Sequence, residues 1–215
     1  MKIEKRESRK ERIKRKIREE ISKAYRHKRL IVGIISFLVL VTIYLFKDSP
    51  YVTLRYSTFI GLIIAFYIVD HLFDIRFKLK HYLFIIIIGT SALFLSYLYF
   101  TYPQYDKAQH FILPMLLCSI MFFMINKLNI ALKWKITFTV FSVAGILGIF
   151  EIGEYILDLF FNLKLQGVYL RDLKGLEKFH LILNPLDDTM ADMSFGLLGS
   201  SIYAVYAWIK YKKHK

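Results

Sequence analysis

The sequence predicts an all-α fold: a polytopic membrane helix bundle of about six transmembrane helices, with both termini in the cytoplasm. Three observations carry this. Several apolar runs reach or approach the ~20 residues that cross a bilayer. Hydrophobic residues are 56% of the 215 and aromatic residues 17%, more than a soluble domain of this length needs to fill its core. Basic residues are distributed lopsidedly between the connections.

Residues 1–29 form a charged arm with 14 Lys/Arg against five Glu and no Gly or Pro. Ile13, Ile17 and Ile21 recur at a spacing of four, and Glu11 precedes Arg15 by four, which predicts a basic amphipathic helix. Such an arm is expected to lie on anionic lipid at the inner leaflet. It carries no aromatic or fold signature for nucleic acid. It is too charged, and lacks the small-residue cleavage site, for a signal peptide. The membrane domain, 30–209, follows as spans at 30–46, 51–69, 82–102, 108–125, 136–157 and 191–208. The second is interrupted near its start by Arg55. Residues 159–189 read as an outer loop, an interfacial helix or a lid, and 210–215 as a basic cytoplasmic tail. A single cysteine, Cys118, excludes an internal disulfide and a thiolate metal site.

Placing the N-terminus inside puts 24 Lys/Arg on the cytoplasmic side and 7 on the other, the asymmetry of the positive-inside rule. That topology gives the polar residues of the spans a common address. The stretch "ILGIFEIGEYILDLFF" carries Glu151, Glu154 and Asp158 in an apolar run. Asp106, Lys107 and His110 open the fourth span, and Asp187, Asp188 and Asp192 open the sixth. All fall toward the outer end. Asp106/His110 and Asp188/Asp192 are four apart and Glu151/Glu154 three apart, so each pair shares a helix face. Carboxylates with an imidazole suit a divalent cation or a proton-transfer site.

Structural readings stand beside these. Asp106 with Gln109 has the form of a capping box, and Asp188 is placed to cap the sixth helix. Lys107 can snorkel, neutralise the acids or meet an anionic head group; Arg171 and Lys174 can meet a phosphate or face solvent. Asp158 reads as interfacial, and Asp70 and His71, at the opposite end, as structural. Pro114 is expected to bend its helix. Gly145, Gly148, Gly153, Gly196 and Gly199 are expected to allow close contact between the fifth and sixth helices.

"YDKAQHF" at 105–111, "FEIGEY" at 150–155 and "DTMADMSFGLLGS" at 188–200 together resemble the YjdF-like integral membrane proteins, over roughly residues 50–205. The first motif is also similar, more distantly, to VanZ-like proteins of cell-envelope chemistry. The resemblance implies a helical membrane architecture and supplies no reaction.

Three functions are open. In a membrane enzyme acting on a lipid or envelope precursor, Glu151, Glu154, Asp188 and Asp192 would be ligands or bases and His110 a ligand or proton shuttle, with a divalent metal as cofactor. A proton- or cation-coupled carrier would use the same carboxylates. A non-catalytic protein would use them to lock helix packing.

Overall fold

The computed structural model describes residues 28–45, 52–171 and 179–212, with residues 11 and 14. The amphipathic stripe of the basic arm, and Lys174 in the long loop, lie outside the described residues. The chain is mostly helical: α1 (Lys28–Leu45), α2 (Val52–Leu72), α3 (Leu79–Gly89), α4 (Pro103–Ile125), α5 (Leu132–Phe161) and α6 (Pro185–Lys212). Among the described residues, α4 and α5 are long and apolar enough to cross a membrane.

The expected third span, 82–102, is not one α-helix. After Gly89 the chain widens into a π-helical turn at Thr90–Phe94 and then tightens into a 3-10 segment at Ser96–Phe100. π turns and 3-10 stretches in a membrane-embedded run are tolerated where protein re-satisfies the backbone. The other helices extend past the hydropathy boundaries because polar first and last turns are helical too. α4 starts at Pro103, which fits the first helical position since its missing N–H would have no partner there.

That start overturns the capping-box reading of Asp106. The N-cap is Tyr102, with no side-chain bond, and Asp106 lies inside the first turn. Asp188 is not the cap of α6 either. Asn184 Oδ1 accepts from Asp187 N at 3.0 Å, so Asn184 caps and Asp188 is free for another partner.

Two apolar cores form among the described residues. In the first, Phe66 stacks on Phe77 with centroids 4.5 Å apart and meets Tyr82 edge-on at 5.0 Å. Buried Val32, Phe59, Ile85, Ile86 and Ile120 complete it across α1–α4. Asp70 is buried at its edge and accepts from Phe77 N at 2.8 Å and from the Tyr82 hydroxyl, which ties the α2–α3 turn down. This agrees with its structural reading; His71 beside it is exposed. Farther along the turn, hydrogen bonding from Arg76 holds the Asp74 carboxyl below its ordinary range. The second core, Cys118, Val143 and Leu147, lies where α4, α5 and α6 meet.

The glycines divide. A Cβ on Gly199 would collide with the Phe111 carbonyl of α4, and one on Gly196 with the Leu147 side chain. Gly145, Gly148 and Gly153 have nothing within 4 Å of such a Cβ, so the expectation that they seat α5 on α6 is corrected. They lie on a helix whose Phe141 and Ile149 are 71% and 72% exposed, as suits side chains facing lipid. Pro114 cannot donate to the carbonyl of His110, four residues earlier. That carbonyl lies against Gly196, 3.5 Å from where its Cβ would be. Pro114 and the two glycines thus let α4 and α6 approach at the level of His110.

Beyond α5 the chain turns through Asn162, in the left-handed region at φ 50°. Asp158 closes this turn by accepting from Leu165 N and Gln166 N, both at 2.8 Å. Asn tolerates that backbone and a β-branched residue does not. Asn162→Gly is therefore expected to leave the thermal midpoint in detergent nearly unchanged, and Asn162→Val to cost about 1–2 kcal/mol. In place of an interfacial helix, β1 (Val168–Arg171) and β2 (Phe179–Leu183) pair antiparallel, with Tyr169 opposite Leu181 and Leu170 opposite His180. Their aromatic and branched residues favour strand, and β1 packs on the Ser96–Phe100 segment.

Candidate functional site

The starts of α4 and α6, the C-terminal part of α5 and the hairpin meet at one end of the bundle. Lys127, Lys135 and Lys210 stand at the other, where Lys127 Nζ donates to the Asp74 and Ile75 carbonyls and Lys135 Nζ to Asn126 O at 2.8 Å. The first end holds the acids. Asp106 and Asp188 fall in first helical turns, where the positive dipole end partly offsets a buried negative charge.

Lys107 is the hub. Its Nζ donates to Asp106 Oδ2 at 2.9 Å, Asp188 Oδ1 at 2.5 Å and Asp192 Oδ1 at 2.7 Å. Three donors for three acceptors is the full capacity of an ammonium group. The remaining oxygen of Asp188 accepts from Gly167 N at 2.8 Å, just before β1. That residue has φ 94°, which a glycine adopts without strain.

His110 lies beside this hub. Its Nε2 is 3.6 Å from Asp106 Oδ1, while its Nδ1 is 3.8 Å from Glu151 Oε1 and 4.0 Å from Asp192 Oδ1. Asp106, His110, Glu151, Asp188 and Asp192 are all buried. The Thr189 hydroxyl accepts from Gln166 Nε2 at 3.4 Å, and the same Nε2 lies 3.5 Å from the Glu151 carbonyl oxygen. Each of Asp106, His110 and Asp192 offers an atom within 4.8 Å of the others. Two ligands of one cation at bond lengths of about 2.0–2.4 Å fall within that span. Three carboxylates against one ammonium leave a formal charge of −2, before Glu151 is included.

The expected residues are thus not equally placed. Asp106, Lys107, His110, Glu151, Asp188 and Asp192 come together. Glu154, one turn beyond Glu151, is half-buried and makes no ion pair among the described residues. Asp158 serves the turn after α5. Arg171 belongs to β1, and its side chain lies outside the described residues. Lys107 is engaged by its own acids, so a head-group contact would have to displace one of them.

A neighbouring network is not evident from charge patterns. Gln109 receives the Tyr99 hydroxyl on Oε1, and its Nε2 donates to Ser91 Oγ and, at 2.9 Å, to the Tyr105 hydroxyl. The Tyr105 hydroxyl donates to Ser91 O at 3.1 Å. The sequence signals were the Tyr-rich run "SYLYFTYPQY" and the spacing of four between Tyr105 and Gln109.

No curated protein and no solved structure matches the chain. A family model described as a predicted membrane protein, DUF2238, matches residues 28–213, which include every residue of the cluster. The apolar spans, the lipid-facing surface of α5 and that match agree: the chain belongs to the DUF2238 family of predicted membrane proteins.

Proposed function

We propose that this is a six-span membrane protein, with both termini in the cytoplasm, whose acid–histidine cluster at the outer end binds a divalent cation and serves hydrolysis or group transfer on a lipid or envelope precursor. The observation that carries this reading is the convergence of Asp106, His110 and Asp192, from two helices, within one ligand sphere of net negative charge. The opposed placement of the basic helix ends supports the orientation. The motif likeness to YjdF-like and VanZ-like proteins belongs to the same reading.

In it, Asp106, His110 and Asp192 hold the cation. A bound divalent cation lowers the pKa of coordinated water and polarises a phosphoryl or carbonyl oxygen. Glu151, facing His110 Nδ1, is the base that takes the proton from water or a hydroxyl. Glu154 is a reserve carboxylate one turn away. Lys107 keeps three aspartates from repelling one another and orients Asp188 toward the hairpin. A carrier would bind its ion nearer the middle of the bundle than this cluster lies.

The test is Mn²⁺ binding to the purified protein in detergent, read by electron paramagnetic resonance together with total metal analysis. Wild type is expected to bind stoichiometrically. Asp192→Asn and His110→Ala should weaken binding at least ~10-fold, since even outer-shell changes at metal sites cost that much. Equal binding, or none in any of them, would make the cluster a packing device centred on Lys107.

A further inference from the structure

The π turn at Thr90–Phe94 sends neighbouring residues to different places. Ser91 joins the Gln109 network, while Ala92 opens onto a cleft. The cleft has a volume of about 90 Å³, and Ile88, Ala92, Leu113, Leu117, Ile146 and Phe150 form its apolar wall. Its polar groups are gathered at the level of His110, with Gln109 and Tyr99 beside it. His110 therefore borders both the cleft and the acid cluster. Two of the walls are α4 and α5, the helices with the length and hydropathy of membrane spans. Ile146 and Phe150, on the α5 side, remain partly exposed at 38% and 45%, so apolar side chains form part of the cleft's exposed rim.

We propose that this cleft holds a segment of the hydrocarbon chain of a membrane lipid, entering sideways from the bilayer and placing the lipid's polar head at His110 and the aspartates. The proposal rests on the reading above for its head-group end and names the substrate class as a chain-bearing lipid. Three features favour a lipid chain over other occupants. The wall is apolar, the surrounding medium is acyl chain, and the polar groups stand at one end only, matching an amphiphile. The volume suits a few methylene groups and not a folded head group. Ala92 lines the cleft together with Leu113 and Phe150, so a much larger side chain there is expected to fill it.

The test uses full-length protein in nanodiscs of phosphatidylglycerol carrying a diazirine on the acyl chain, with adducts mapped by mass spectrometry. Photolabelling is expected to concentrate on Leu113, Leu117 and Phe150 above the level at Phe141, which faces bulk lipid. Ala92→Trp should reduce cleft labelling about tenfold while Mn²⁺ affinity and labelling at Phe141 stay as in wild type. If Ala92→Trp does not fold, Leu117→Phe fills the same space from α4 and should give the same selective loss. Labelling no stronger than at Phe141, or unchanged in folded Ala92→Trp or Leu117→Phe protein, overturns the proposal. Cleft labelling that persists in a protein binding no Mn²⁺ supports the chain site and removes only the cation.

Discussion

Lys107→Met is expected to be the most damaging single substitution in the chain. It strips the shared partner from Asp106, Asp188 and Asp192, leaving buried carboxylates without compensation. Removing one member of a buried ion cluster costs about 3–5 kcal/mol, because the remaining charge stays desolvated. The expected result is a large fall in the thermal midpoint in detergent, read from intrinsic fluorescence. Adding Asp188→Asn and Asp192→Asn should recover part of the loss, since the charges in need of a partner are then gone. Lys107→Arg should not restore wild-type stability, because a planar fork cannot point three donors at three separate carboxylates as an ammonium does. Divalent cation should stabilise Lys107→Met by mass action if the cluster binds it. An unchanged midpoint in Lys107→Met would show that the acids are not held as described.

Gly199→Ala is the second. A Cβ there runs into the Phe111 carbonyl, which is backbone within a helix and cannot swing aside. Overpacking of this kind costs about 1–3 kcal/mol and sometimes more. Gly153→Ala, on the open side of α5, meets nothing and should gain up to about 1 kcal/mol from helix propensity. Thermal unfolding of both variants in one detergent checks the pair. Equal effects would mean that α4 and α6 are not in contact at this level. Because Gly199 lies two turns below Asp192, its substitution should also weaken Mn²⁺ binding without touching a ligand.

The contrast between these glycines shows where sequence reasoning stops. All five carry the same local signal, a small residue in an apolar helix. Which of them meets a neighbour depends on how each helix is rotated about its axis, and that is set by packing against other helices. The aspartates behave likewise. Their spacing of four places Asp106 with His110 and Asp188 with Asp192, a consequence of the helical repeat alone. Asp106 and Asp188 also look like helix caps in sequence, and only the actual starts at Pro103 and Pro185 exclude that. A proline at the first position lets a helix begin earlier than hydropathy alone suggests.

Glu151 and Glu154 make the point most sharply. The sequence treats them as a pair three residues apart. In the fold, Glu151 lies 3.8 Å from His110 Nδ1, while Glu154 stands aside. Three residues turn a helix through about 300°, so the two share a face only loosely. The hairpin was equally hidden. Its strands are short, their partner lies across a loop, and strand pairing is a non-local property. Yet it delivers the Gly167 N–H to Asp188.

By itself, then, the sequence determined the class of protein and the chemical inventory. Hydropathy, aromatic content and helical spacing are local quantities, and they are enough to say membrane helices bearing acids, a lysine and a histidine toward one end. The tertiary structure decided which of those groups meet. It made Lys107 the hub, put His110 between acids and apolar cleft, excluded Glu154 and Asp158 from the ion-paired centre, and assigned close contact to Gly196 and Gly199 alone among the five glycines. Distances between residues 81 and 85 positions apart, such as Lys107 with Asp188 and Asp192, follow from how whole helices pack, which no single segment encodes.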